Sequence, residues 1–146
     1  RLADMGIAAV DIAGAGGTSW SEVEAHRQSD PSVRRIAHSF AGWGIPTALA
    51  LMEARQLVPD LPILASGGLR DGIDMAKALR LGASLCGVAA PVVRVATDST
   101  DAVGERMTAF IEELRIAAFS TGSADITSLR SAILRRTDDW SVVGSV

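Results

Sequence analysis

Residues 62–93 read PILASGGLRDGIDMAKALRLGASLCGVAAPVV, and this stretch decides the fold class. It opens with a short apolar run that ends in Ser66, Gly67 and Gly68, the pattern of a strand buried on both faces. A helix follows. Asp71, Asp74, Lys77 and Arg80 recur every three residues as a wet face, while Ile73, Ala76 and Leu79 turn inward. Acids stand at the positive helix start, bases near the negative end, and Gly82 is a stop. LCGVAAPVV at 85–93 then reads as a second buried strand.

The same strand, small-residue loop and helix occur on either side. Upstream, IAAVDIAG at 7–14 is a glycine-bounded apolar run that leads into GAGGTS. A polar segment continues to about residue 44, with a short helix at 31–39. PTALALMEARQ then places Pro46 at a first helical position. Downstream, DAVGERMTAFIEELRIAAFSTG carries an apolar stripe of Val103, Met107, Phe110, Ile111, Leu114 and Ala118, with Gly122 as C-cap. An amphipathic piece over about 125–136 turns Ile126, Leu129 and Ile133 inward, and the tail from Thr137 has no pattern. The opening RLADMG reads as the end of a helix stopped by Gly6, so the chain is expected to be part of a longer one.

Three strand–helix units in succession imply parallel strands joined by right-handed crossovers. Two architectures satisfy that pattern, an open doubly wound sheet and a slice of a (β/α)₈ barrel. A whole barrel needs about 250 residues, so 146 hold three of its units.

Composition narrows the function classes. A net charge of -3 supplies no basic face for nucleic acid, and no apolar run approaches the roughly 20 residues that span a bilayer. Neither partner is expected. A single cysteine, Cys86, excludes a disulfide framework and a zinc cluster and suits a reducing compartment, the cytoplasm. Mid-strand and among apolar neighbours, it reads as an inert thiol.

The loops carry the chemistry. In a βα barrel, ligands sit where strands end, and phosphate is often held by the loops after strands seven and eight. In SGGLRDG, Gly67 and Gly68 permit positive φ and close backbone approach. The amides of Leu69 and Arg70 then face an anion ahead of a helix N-terminus, with the Arg70 guanidinium as a charged contact. One unit later, GVAAP at 87–91 leaves the Ala89 and Ala90 amides unobstructed, and Pro91 redirects the chain. GAGGTS has Ser19 where G-x-G-x-x-G needs glycine, and no Gly-Lys-Ser/Thr occurs, so both common nucleotide motifs are set aside.

VDIAGAGGTSWSEVEAHR, GWGIPTAL and ILASGGLRDGIDMAKALRLGASLCGVAAP, in this order, resemble the C-terminal half of type 2 isopentenyl-diphosphate isomerase. The resemblance covers about residues 1–122. It implies a (β/α)₈ barrel with residues 1–122 as units six to eight, and 123–146 as a C-terminal helix and tail. It further implies FMN, with Thr18 among its contacts, Gly68, Leu69 and Arg70 at the flavin phosphate, and Ala89 and Ala90 opposite them. The implied reaction interconverts isopentenyl and dimethylallyl diphosphate, with reduced FMN, NADPH as reductant and Mg2+. No catalytic residue or metal ligand is expected here. The family's flavin-contacting lysine, its diphosphate-binding basic residues, its glutamine and its metal-binding glutamate precede this segment. Many relatives carry serine where this chain has Ala13. A homo-oligomer in the cytoplasm is implied for whole members. Another FMN barrel, such as a hydroxy-acid oxidoreductase, and a non-catalytic fragment stay open as alternatives.

Other polar residues have plainer readings. His26 and His38 lack partners at ligand spacing and read as surface or loop packing. Glu22 and Glu24, and the arginine pairs at 34–35 and 135–136, read as solvated charge. Trp20 and Trp43 stand in polar segments, either covering a flavin or packing locally.

Overall fold

A computed structural model describes residues 3–135. Strands β1 (Val10–Asp11), β2 (Ile63–Ala65) and β3 (Leu85–Cys86) form one parallel sheet in chain order. Val10 lies opposite Ile63, and Asp11 opposite Leu64, while Leu64 and Ala65 face Leu85 and Cys86. Each crossover therefore moves one place in the same direction, as in a barrel. The strands are shorter than the predicted runs at 7–14, 62–68 and 85–93. Backbone bonds nonetheless continue toward the loops, from Ile12 N to Leu64 O at 3.1 Å and Gly14 N to Ser66 O at 3.0 Å.

Among the described residues, seven α-helices connect and flank the strands: α1 (Trp20–Arg27), α2 (Pro31–Ser39), α3 (Thr47–Leu57), α4 (Gly72–Arg80), α5 (Ala90–Ala96), α6 (Thr100–Ser120) and α7 (Ile126–Leu129). The pleat sends Ile63 and Ala65, both fully buried, against Leu51 of α3 and Ala78 of α4. On its other side α4 packs Ala76 and Leu79 against Leu129, with Leu114 and Ala117 of α6 beside them. The opposite pleat, Asp11, Leu64 and Leu85, lacks a covering layer among the described residues, and Leu85 is 59% exposed.

Several elements depart from the sequence expectation. Helix α1 lies inside the segment read as polar. Ser19 caps it by accepting from the Glu22 amide at 3.4 Å, and a serine three residues before a glutamate is a helix-start pattern. Pro46 is the N-cap of α3 rather than its first residue. The third predicted strand is instead a two-residue strand and then α5, because proline in a first helical turn favours initiation. Over 125–136 only Ile126–Leu129 is helical, and residue 136 lies outside the described residues. Tertiary bonds hold the chain around and after it. Arg80 Nε donates to the Ala132 carbonyl, and Arg130 Nη2 donates to Ala83 O at 3.1 Å.

Away from the glycine loops, the Arg55 side chain of α3 closes the lower end of the units. Its Nη2 donates to Gly82 O at 2.6 Å, and its Nη1 reaches the carbonyls of Val58, Pro59 and Leu61. Four carbonyls that end structural elements thus share one cation. Arg55→Leu strands them, and in a full-length protein carrying this segment it is expected to cost about 1.5–3 kcal/mol by urea denaturation.

Candidate functional site

At the ends of the strands two glycine loops meet backbone to backbone. A Cβ at Gly67 would overlap Gly14, and one at Gly68 would overlap the carbonyl of Gly16. In the reverse direction, a Cβ at Gly16 would stand 2.8 Å from Gly67 O, and one at Gly17 2.8 Å from Gly68 N. Gly67 and Gly68 adopt φ +95° and +88°, a region costly for residues with a Cβ. The close approach that clears side chains from residues 14–17 is thus made to the neighbouring loop. Thr47 locks the pair by donating from Oγ1 to Gly67 O, and its backbone leaves no space for a Cβ at Gly14.

Above this seam lies a cleft of about 930 Å³. It brings together all six residues predicted from the sequence: Thr18, Gly68, Leu69, Arg70, Ala89 and Ala90. Each offers different atoms. Leu69 is 6% exposed and its side chain belongs to the core, so that side chain is not offered to the cleft. Thr18, Arg70, Ala89 and Ala90 are exposed. The amides of Gly68, Leu69, Ala89 and Ala90 have no acceptor among the described residues. They constitute a set of donors open to an anion.

Arg70 departs from the expected geometry. Its amide lies 3.3 Å from Asp74 Oδ2, and its Nε donates to the same oxygen at 2.9 Å. The hydrogen bond from Arg70 holds the Asp74 carboxyl below its ordinary range, and in return raises the guanidinium pKa. Nη1 stays uncommitted among the described residues. The first amides of α4 are also in use, Asp74 N on Asp71 Oδ1 at 2.8 Å and Gly72 N on Glu113 Oε2 at 2.7 Å. The helix start is therefore closed by carboxylates, and the open donors lie in the loop before it.

Two cleft residues escaped the sequence reading. Arg94 of α5 lines the cleft, and its guanidinium has no partner among the described residues. Its signal was a base in the helix that follows GVAAP. Arg106 of α6 also lines it, but only folding brings residue 106 to a loop at 70. Ala13, at the expected serine position, has φ +38° and donates its amide to Asp11 Oδ1 at 3.0 Å. That carboxylate also accepts from Ser66 Oγ at 2.7 Å, tying the two loops a second time.

The remaining polar candidates lie elsewhere. His38 Nδ1 meets Glu22 Oε1 at 2.7 Å, the His26 and His38 rings pack edge-on at 6.1 Å, and neither histidine lines the cleft. Among the described residues no group of three or more His, Cys, Asp or Glu is placed to hold a metal. Burial pushes the Cys86 thiol up to about 11, as an inert role requires. Trp20 is 79% exposed at the cleft edge, and Trp43 is 82% exposed with its ring against Phe40 at 5.8 Å.

A family model described as FMN-dependent dehydrogenase matches residues 1–136. The isopentenyl-diphosphate delta-isomerase of Stutzerimonas stutzeri is 55% identical over 134 residues, 92% of this chain and 39% of its own. That of Cronobacter sakazakii is 52% identical over 139 residues, 95% of this chain and 40% of its own. The chain thus spans about two fifths of these relatives' length. Among solved structures, a mandelate oxidase variant shares 31% identity with a TM-score of 0.56 over 60% of this chain and 27% of its own. These likenesses carry a TIM-barrel-type fold, which the chain-order parallel sheet fits.

Two outcomes follow for the loops. Gly122→Ala, where φ is +68° and no atom lies within 4 Å of a new Cβ, is expected to cost about 1–2 kcal/mol. Gly68→Ala adds overlap with Gly16 and is expected to cost about 1–3 kcal/mol more by urea denaturation of the full-length protein. Because its carboxyl is held low, Asp74 contributes stability that is complete above the ordinary value of 3.8 and fades as pH falls below it. The stability advantage over Asp74→Asn, measured by acid titration of the unfolding midpoint, is expected to shrink in that window.

Proposed function

The chain belongs to the FMN-dependent dehydrogenase family, and from that premise we propose that it forms the flavin-phosphate end of an isopentenyl-diphosphate delta-isomerase. The observation that carries the reading is the cleft lined by Thr18, Arg70 and by Gly68, Leu69, Ala89 and Ala90, whose backbone N–H groups have no acceptor among the described residues. Its roughly 930 Å³ falls within the usual range of small-ligand sites, about 300–1,000 Å³. A phosphate suits such donors, since N–H groups bind it without side chains and small residues leave them bare. The residues present fit the phosphate of FMN.

In this reading, residues 1–122 are barrel units six to eight and 123–146 an appended helix and tail. The Gly68, Leu69, Ala89 and Ala90 amides hold the phosphate, Arg70 adds charge through its uncommitted Nη1, and Thr18 contacts the flavin. Arg94 adds a further cation at the cleft. When bound, reduced FMN supplies the acid–base or charge-stabilising group of the 1,3-proton shift that interconverts isopentenyl and dimethylallyl diphosphate. The protein residues here orient the cofactor and keep its phosphate neutralised. Mg2+, with ligands outside this chain, NADPH as reductant, a cytoplasmic setting and a homo-oligomeric assembly complete the proposal. This segment by itself is inactive.

The runner-up, a hydroxy-acid oxidoreductase, is favoured by the mandelate oxidase likeness. It has less support, because identity is 31% against 55%, and both histidines are engaged on α1 and α2 rather than at the cleft. A full-length protein carrying this segment is expected to retain flavin absorbance after desalting and, once reduced, to convert isopentenyl diphosphate with Mg2+. Oxidation of a hydroxy acid without isomerisation would favour the runner-up, and loss of flavin would remove both readings. Arg70→Ala and Gly68→Val are each expected to weaken FMN retention.

A further inference from the structure

The loop that bears the open donors is conformationally weak by composition. Gly67 and Gly68 adjoin, both at positive φ, and glycine has the largest backbone entropy to lose. Leu69 anchors the loop by its buried side chain, but a side chain does not set the plane of the peptides that follow it. Three consecutive peptide units lead from Leu69 to Gly72, and each is fixed by a charged group. Asp74 takes the Arg70 N–H at 3.3 Å. Arg106 Nη2 donates to the Arg70 carbonyl at 2.8 Å. Glu113 Oε2 accepts the Gly72 N–H at 2.7 Å.

Arg106 and Glu113 lie seven residues apart, two turns along one face of α6, and their own charges pair at 3.5 Å. The Arg106 guanidinium sits 4.1 Å over the ring of Phe110, which is 2% exposed, so its plane is set before it reaches the loop. The backbones approach closely enough that a Cβ at Gly72 would stand 2.6 Å from Phe110 O. Arg106 also lines the cleft, yet both ends of its fork are committed, one to a carbonyl and one to a carboxylate.

We propose that Arg106 and Glu113 are positioning residues, a brace by which α6 holds the Leu69–Gly72 peptides and so fixes the Gly68 and Leu69 amides just before them in the orientation that binds a phosphate. The proposal rests on reading the cleft as a flavin-phosphate site. Arg106 contributes through the Arg70 carbonyl rather than by touching the anion. Lysine extends no planar fork and serves only one of the two partners.

The test compares two ligands on the full-length apoprotein, FMN and riboflavin, which differ only in the phosphate. Arg106→Met, which keeps the apolar stem over Phe110, is expected to bind FMN about tenfold more weakly while riboflavin affinity stays unchanged. Arg106→Lys should fall between it and wild type. Glu113→Gln, which keeps an acceptor for Gly72 but loses the ion pair, should show a smaller loss of the same kind and guards against misfolding of the arginine variant. Equal losses for both ligands, or no loss for FMN, overturn the brace. A wild-type protein that does not prefer FMN to riboflavin removes the cleft reading and the brace with it.

Discussion

Contact between two backbones is the constraint on which the upper end of this structure depends. The loops at residues 14–17 and 67–68 interlock so closely that a single methyl group at Gly67 or Gly68 would overlap the opposite main chain. Side chains are absent from the seam because the chain itself fills it. Thr47 and the Asp11–Ser66 pair then fasten the seam from its two ends. With these loops joined, Gly68 and Leu69 line one cleft with Ala89 and Ala90 of the loop after β3.

The two ends of the strands are held by different means. At the lower end Arg55 satisfies carbonyls that terminate α3, the following turn and the chain after α4, which is local stabilisation of a scaffold. At the upper end the charged residues do not fill orphaned groups for their own sake. Asp74, Arg106 and Glu113 each fix one peptide plane in the segment between the glycines and α4. Barrel-type folds commonly separate stability below from chemistry above, and here the same residue types, arginine and carboxylate, serve both ends by bonding backbone.

Much of this was legible in the sequence, for physical reasons that differ by element. The bounds and charged face of α4 were readable because its acids, bases and Gly82 stop are local signals, whereas Ile73, read as turned inward, is half exposed. Five of the six cleft residues were readable because small residues after an apolar run mark a loop that ligands approach, while Thr18 came only from the family resemblance. What escaped was long-range. The purpose of Gly14, Gly16 and Gly17 required knowing that residue 67 lies against them, and nothing local marks Arg106 as a neighbour of the loop at 70. Arg70 was misread in part for the same reason that α4 was read well. Its i,i+4 partner Asp74 was counted as an acid suited to the helix start, not as the group that occupies the Arg70 amide and Nε.

The sheet shows why the cleft is only part of a site. Parallel sheets bury both faces, and the side carrying Ile63 and Ala65 obeys that rule against α3 and α4. The other side carries Asp11, Leu64 and Leu85, with Leu85 59% exposed, and β1 and β3 each pair only with β2 among the described residues. In a TIM-barrel-type fold these are the surfaces that face the barrel interior and the next strands. The open amides of Gly68, Leu69, Ala89 and Ala90 all belong to loops within this chain. The walls around anything larger than the anion are not complete, since they would rise from the strands that flank β1 and β3. What a three-strand segment of such a fold supplies from its own chain is therefore a set of open backbone amides at one cleft, not a closed site.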